Sequence, residues 1–181
     1  ARPRVGIDRI RDVREGVAIQ MVLDRSGSMG AEMDFDGERL SRLEAVKRVF
    51  RDFVLGSGRT LRGRPDDLIG MVAFARYADT LSPLTLTHGA LMRFLDSLRL
   101  VSNQADDGTA IGDALALAAA RLKMAGENAQ SAGYRVRSKV IILMTDGIHN
   151  AGRRSPAEAA RLAAAWGIRI HAVGIGAGPE F

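Results

Sequence analysis

Asp24, Ser26 and Ser28 stand at alternate positions in DRSGS, immediately after the apolar run VAIQMVL, and present one carboxylate and two hydroxyls from a single turn. A set made of oxygen alone suits a hard cation, Mg²⁺ first and Mn²⁺ or Ca²⁺ after it, and offers nothing to zinc or copper. Gly27 and Gly30 let the backbone fold closely around something small. Two remote segments repeat the theme. Thr109 follows Gly108 at the mouth of an alanine-rich helical stretch, and Asp146 follows the apolar run VIILMT and precedes Gly147.

The elements that must position these groups can be read from periodicity. Val17 to Leu23 is almost continuously apolar, as a parallel strand covered on both faces must be. Leu43, Val46, Phe50, Phe53 and Val54 recur at helical spacing, Leu68 to Phe74 forms a second strand, and 77–86, interrupted by Pro83, suits a short antiparallel edge strand. Helical spacing returns at Leu91, Phe94, Leu95 and Leu98, and again at Ile111, Leu115, Ala119 and Leu122, with Thr109 in the place of the N-cap. A polar connection is expected over 125–138. Val140 to Leu143 is a third buried strand, Ser155 and Pro156 open a helix running to about Trp166, and Ile168 to Ile175 is the last strand. This alternation predicts an α/β fold, a doubly wound and mostly parallel sheet with helices on both faces. Ligands of such sheets bind beyond the carboxyl ends of the strands, where strand order reverses. Asp24 and Asp146 both end strands of that kind.

Composition narrows the function. With 181 residues, 46% of them hydrophobic, the chain has enough material for one domain with a substantial core. It contains no cysteine, which excludes disulfides, thiol nucleophiles and sulfur-ligated metals. No stretch approaches the ~20 apolar residues of a membrane span, and Ala1 opens no signal peptide, so a soluble fragment is expected. The net charge of +5 invites a nucleic-acid reading, but acids are interleaved with the arginines and aromatics make up only 5%, too few for a stacking platform. No nucleic-acid partner is expected. The densest basic run, Arg2 to Arg14, forms a lead-in over 1–15 that is either a juxtamembrane segment facing acidic lipid or an exposed arm of mixed charge.

DxSxS at Asp24, Ser26 and Ser28, GT before a helix at Gly108 and Thr109, and TDG at Thr145 to Gly147 together resemble the metal-ion-dependent adhesion site of von Willebrand factor A domains. The likeness runs through RLEAVKRVF, RPDDLIGMVAFA, LSPLTLTH, DGTAIGDALALA and KVIILMTDGIHNAG, so that 16–181 reads as the domain. Within the superfamily the chain looks most like the bacterial aerotolerance-type (Bat) membrane proteins encoded beside MoxR-type AAA+ ATPases. The resemblance implies that Ser26 and Ser28 bind the metal directly, Thr109 directly or through water, and Asp24 and Asp146 mostly through water. It also implies a non-enzymatic module that offers the ion to a partner's acidic side chain. On the same resemblance the parent protein is tethered to the bacterial inner membrane by segments not present here, its domain periplasmic, and works with a MoxR-type ATPase and other von Willebrand factor A proteins. These domains normally continue through another helix and strand beyond a position such as GIGAGPEF, so a truncated sheet edge is expected.

Other readings stay open on the residues alone. Ser26 and Ser28 would serve equally as turn residues bonding their own backbone, Thr109 as a cap and Asp146 as a strand-end acid satisfied by amides. A Mg²⁺-dependent phosphoryl-transfer enzyme with Asp24 as nucleophile is the rival function, although Ser26 stands where a DxD motif needs its second acid. Neither GxGxxG nor GxxxxGK[ST] follows a strand. Asp34 and Asp36 lack the spacing of a calcium loop and read as solvated acids. Arg25 reads as solvated, Asp113 as an exposed acid or a brace on loop amides, and His88, His149 and His171 lie too far apart to suggest a shared metal.

Overall fold

The structure is a computed structural model that describes residues 14–58 and 60–176. The expectations for most of the basic lead-in and for the last five residues of the chain lie outside them.

The sheet has five strands in the order β5-β4-β1-β6-β7: β1 (Arg14–Asp24), β4 (Leu68–Phe74), β5 (Ala78–Thr85), β6 (Tyr134–Thr145) and β7 (Ile168–Gly174). Pairing is parallel throughout except between β4 and β5, which are antiparallel. The edge strand carrying Pro83 is therefore where its broken hydrogen-bonding row is tolerated. Because β1 sits between β4 and β6, its side chains are buried on both faces. Ala18 and Val22 meet α3 (Ile111–Ser131) and α4 (Pro156–Ala165). Ile19, Met21 and Leu23 meet α1 (Arg42–Leu55) and α2 (His88–Ser97). That two-sided burial is the physical cause of the unbroken apolar run.

One polar residue interrupts it. Gln20 is fully buried, and in the orientation its neighbours require, its amide oxygen accepts from the N–H groups of Met71 at 2.9 Å and Val72 at 3.3 Å. The β4–β5 register shifts at those residues, so the side chain supplies an acceptor where the ladder fails. Gly70 makes the room: a Cβ there would come within 2.7 Å of the Gln20 amide.

The structure adds one element and corrects two expectations. The polar stretch after Gly30 is a hairpin, β2 (Glu32–Phe35) against β3 (Glu38–Ser41), turning through Asp36 (φ 54) and Gly37 (φ 80). Two adjacent residues in the left-handed region are what a tight two-residue hairpin requires, and Asp-Gly supplies them. The connection expected over 125–138 does not exist at that length, since α3 runs to Ser131 and β6 starts at Tyr134. The first residues of β6 pair with Arg14, Glu15 and Gly16, which gives them a partner the sequence did not advertise. Finally, Thr109 is not the N-cap of α3. The helix starts at Ile111, and it is the carbonyl of Ala110 that accepts from Ala114 N–H at 3.1 Å.

Candidate metal centre

Strand β1 ends on Asp24, which is 0% exposed. One carboxylate oxygen accepts from the backbone N–H of Ser26 at 2.8 Å and the other from the hydroxyl of Thr145 at 2.5 Å. The first bond bends the chain out of the strand. The turn then closes through Met29 N–H on the Ser26 carbonyl at 3.0 Å, with the Met29 side chain fully buried as its anchor. Ser26 Oγ and Ser28 Oγ are left 3.1 Å apart on the outer side of this turn.

From β6, on the other side of the point where strand order reverses, Asp146 meets the turn. The Ser28 hydroxyl donates to Asp146 Oδ1 at 2.8 Å, and Arg42, the first residue of α1, donates to Oδ2 at 2.5 Å. The third segment is fixed from two directions. Asp107 Oδ1 accepts from the N–H groups of Gly27 and Gly108, both at 2.9 Å, which ties the loop before α3 to the β1 turn. Asn150 grips Thr109, its Oδ1 accepting from Thr109 N–H at 2.8 Å and its N–H donating to the Thr109 carbonyl at 3.2 Å. Asp113 braces the loop beyond, accepting from Arg153 N–H at 2.8 Å and Arg154 N–H at 3.0 Å.

The result is a cleft of about 450 Å³ lined by Ser26, Ser28, Thr109, Arg76, Asp107 and Asn150. Asp24 and Asp146 do not line it. They lie beneath, bonded to the Ser26 amide and the Ser28 hydroxyl, so the hydroxyls face the opening and the two acids stand behind them. The five residues singled out from sequence thus gather at one rim. Arg42, Asp107 and Asn150 join them without having been singled out, and Thr145, named only as part of TDG, joins through its hydroxyl. Of the remaining candidates, Asp34 and Asp36 are exposed in the hairpin, Arg25 is half-buried, and His88 bonds the Asp67 carbonyl at 3.0 Å, 21 positions away in sequence. His171 is exposed on β7.

A divalent ion fits this arrangement. The donor set is oxygen only, and among the described residues no group of three or more His, Asp or Glu side chains offers an alternative centre. Asp24 is a buried carboxylate whose hydrogen-bond donors are an amide and a hydroxyl, both neutral, so its charge lacks a cation. Space is kept open as well: a Cβ on Gly147 would come 3.2 Å from Thr109 Oγ1.

Burial pushes the Asp24 carboxyl above its ordinary value of 3.8, against the pull of the Thr145 and Ser26 hydrogen bonds, and the nearby Asp146 charge adds to the rise. Folded Asp24 therefore keeps its proton at a pH where the unfolded chain has lost it. The folded state binds more protons across the window above 3.8, so its stability without metal falls as pH rises through that window and levels off once folded Asp24 ionises. Thermal unfolding in chelator should show Asp24→Asn gaining on the wild type as pH climbs from about 4 toward neutrality. Parallel curves would refute this.

Comparison with known proteins agrees with the geometry. The von Willebrand factor type A domain model matches residues 19–180. An uncharacterized protein of Borreliella burgdorferi is 29% identical over the full 181 residues, and the chain spans 47% of that protein's length. Among solved structures, an aerotolerance-related membrane protein of Bacteroides fragilis is 30% identical with a TM-score of 0.68, over 89% of this chain and 68% of that one. The conserved hypothetical protein BatB of Bacteroides thetaiotaomicron is 32% identical with a TM-score of 0.65, over 88% and 66%. Proximal thread matrix protein 1 of the mussel byssus, solved with a zinc-occupied MIDAS motif, is 25% identical with a TM-score of 0.56, over 90% and 38%. The zinc in that protein is a divalent ion held at its own MIDAS motif. Among the described residues no helix is long and apolar enough to cross a membrane. A model match across almost the whole chain, on a sheet that brings the expected segments to one rim, establishes that the chain belongs to the von Willebrand factor type A domain family.

Proposed function

We propose that this domain is a divalent-metal-dependent protein-binding module, with Mg²⁺ as its ion, that captures an acidic side chain of a partner protein. The observation that carries the reading is the layering of the rim: Ser26, Ser28 and Thr109 line the cleft while Asp24 and Asp146 are held behind them. Ser26 and Ser28 would hold the ion directly, Thr109 directly or through water, and the two acids through water. An ion bound mainly through neutral hydroxyls keeps most of its positive charge, and that charge is what attracts a carboxylate from outside. Asp24 contributes by fixing the Ser26 amide, Asp146 by orienting the Ser28 hydroxyl, and Arg76 adds a further positive group at the cleft wall.

Phosphoryl transfer finds less support. Asp24 is 0% exposed and both its oxygens are engaged, so it has no approach to a phosphorus atom. The proposal extends, on kinship with the Bat-type proteins, to a membrane-tethered parent whose domain (16–181) follows a basic lead-in (1–15), faces the periplasm, and works with a MoxR-type AAA+ ATPase and other proteins of the family. β1 already pairs with β6 at Arg14 and Glu15, so sheet and lead-in share those residues.

Binding of a short glutamate-containing peptide to the immobilised domain tests the core of this reading. Affinity in Mg²⁺ should fall at least about tenfold in EDTA, return on adding excess Mg²⁺, and fall equally when the glutamates are changed to glutamine. Binding indifferent to EDTA would overturn the mechanism.

A further inference from the structure

Arg42 is the cation bonded to Asp146 at the back of the rim, and neither its place in the sequence nor the metal-site motif explains it. It opens α1, its backbone N–H donates to the Ala31 carbonyl at 2.9 Å, and Ser41 caps the helix beside it by accepting from Glu44 N–H at 3.2 Å. The base of the hairpin and the start of the helix therefore fix where the side chain begins. It crosses to Asp146, 104 positions away, whose side chain is only 1% exposed.

The way it grips is informative. An arginine usually takes a carboxylate with two nitrogens on two oxygens. Here NH1 alone reaches Oδ2, and Nε is buried without a partner. A two-nitrogen fork would satisfy Nε but would occupy Oδ1 too, leaving the Ser28 hydroxyl without its acceptor. As built, Arg42 gives up one hydrogen bond and Asp146 Oδ1 stays with Ser28 at 2.8 Å. The Ser28 proton is then directed at Asp146, so in the 3.1 Å contact between the two hydroxyls Ser26 donates, and one Ser28 lone pair is left to face the cleft.

We propose that Arg42 is a positioning residue that holds Asp146 behind Ser28 and so keeps the acid from ligating the metal directly, lowering the domain's affinity for the ion while preserving the ion's charge for the partner. This rests on the metal-binding reading above. Two consequences separate it from a merely structural ion pair. With Arg42 removed, Asp146 is free to swing onto the ion and replace a water, so the domain should bind metal more tightly. The gain should also require Asp146 to be an acid, because Arg42 acts through it.

Mn²⁺ is a suitable probe, its affinity measured by titration calorimetry and its bound waters by water-proton relaxation, at about 0.15 M salt so that long-range repulsion from the guanidinium is screened. Arg42→Gln is expected to bind Mn²⁺ about tenfold more tightly than wild type, with lower relaxivity because a coordinated water is lost. In the Asp146→Asn background the same substitution should change affinity less than about threefold. That double variant neutralises both partners, so it leaves no unpaired buried charge and keeps the test available should Arg42→Gln alone fail to fold. Unchanged or weaker binding by a folded Arg42→Gln overturns the proposal, as does a tenfold gain that persists in the Asp146→Asn background. If wild-type protein binds no Mn²⁺, the metal-site reading itself falls; if it binds and the cycle shows no coupling, only the role of Arg42 does.

Discussion

Asp24→Ala is expected to weaken Mg²⁺ and Mn²⁺ binding about 10- to 100-fold, the loss typical of removing a partner that orients metal ligands from behind. Asp24 holds the Ser26 amide at 2.8 Å and the Thr145 hydroxyl at 2.5 Å, and Thr145 Oγ1 in turn accepts from Gly147 N–H at 3.1 Å. One carboxylate therefore joins the β1 turn to the β6 loop, and alanine releases both while removing the negative charge beneath the ion. Two opposing effects act on stability without metal. Alanine leaves two donors without an acceptor, costing about 1–3 kcal/mol each where they stay buried, but it also removes a carboxylate that burial disfavours in its charged form. Asp24→Asn separates these, since it keeps an acceptor for Ser26 and drops the charge. Calorimetric titration of both variants is the measurement: a site of the proposed kind loses metal in each, whereas unchanged affinity in both would mean that the ion does not sit above Asp24. Ser26→Ala, which deletes a proposed direct ligand, should show the same loss.

The main strands and the rim were legible in the sequence because each rests on a local signal. An apolar run ending on an acid marks a central parallel strand reaching the ligand-binding edge, and it occurs at both Asp24 and Asp146. The hairpin had a signal too: Met33, Phe35 and Leu40 alternate with charged residues around Asp36-Gly37, but four acids in the stretch make it look like solvated loop. The early part of β6 was hidden for a related reason. Arg135 and Arg137 alternate with Tyr134 and Val136, so the strand shows its pattern only once β1 is known to extend back to Arg14 beside it. Of the supporting residues, Asp113 was legible as a brace on loop amides and Thr145 as part of TDG, but the partners that Arg42, Asp107, Asn150 and Thr145 hold were not. Asp107 acts on Gly27 across 80 positions, Asn150 on Thr109 across 41, Thr145 on Asp24 across 121. Nothing about a lone arginine, asparagine or aspartate announces such a partner until the chain is folded.

Gly112→Ala puts the positioning of Thr109 to the most severe test. Gly112 lies in the first turn of α3, an ordinary helical position where propensity alone favours alanine by about 1 kcal/mol. The structure reverses that sign. A Cβ at Gly112 would fall 1.9 Å from the Arg154 carbonyl oxygen and 2.7 Å from the Ser155 carbonyl carbon, both backbone atoms. They cannot yield easily. Asp113 holds the Arg153 and Arg154 amides, and Ser155 is locked in a capping box with Glu158 ahead of Pro156. Relief must come from shifting the start of α3, which carries Thr109 and Ala110, or from breaking the Asp113 clasp. We expect a loss of about 3 kcal/mol or more in urea unfolding, together with weaker metal binding in whatever fraction remains folded. Gly126→Ala provides the comparison within the same helix. Its Cβ would meet only the end of the Lys139 side chain, Cε at 2.9 Å and Nζ at 3.2 Å, which can swing aside. It should therefore be near neutral or slightly stabilising and leave metal binding intact. Equal effects from the two substitutions would mean that the close approach of α3 to the Arg154–Ser155 backbone does not set the height of Thr109 at the rim.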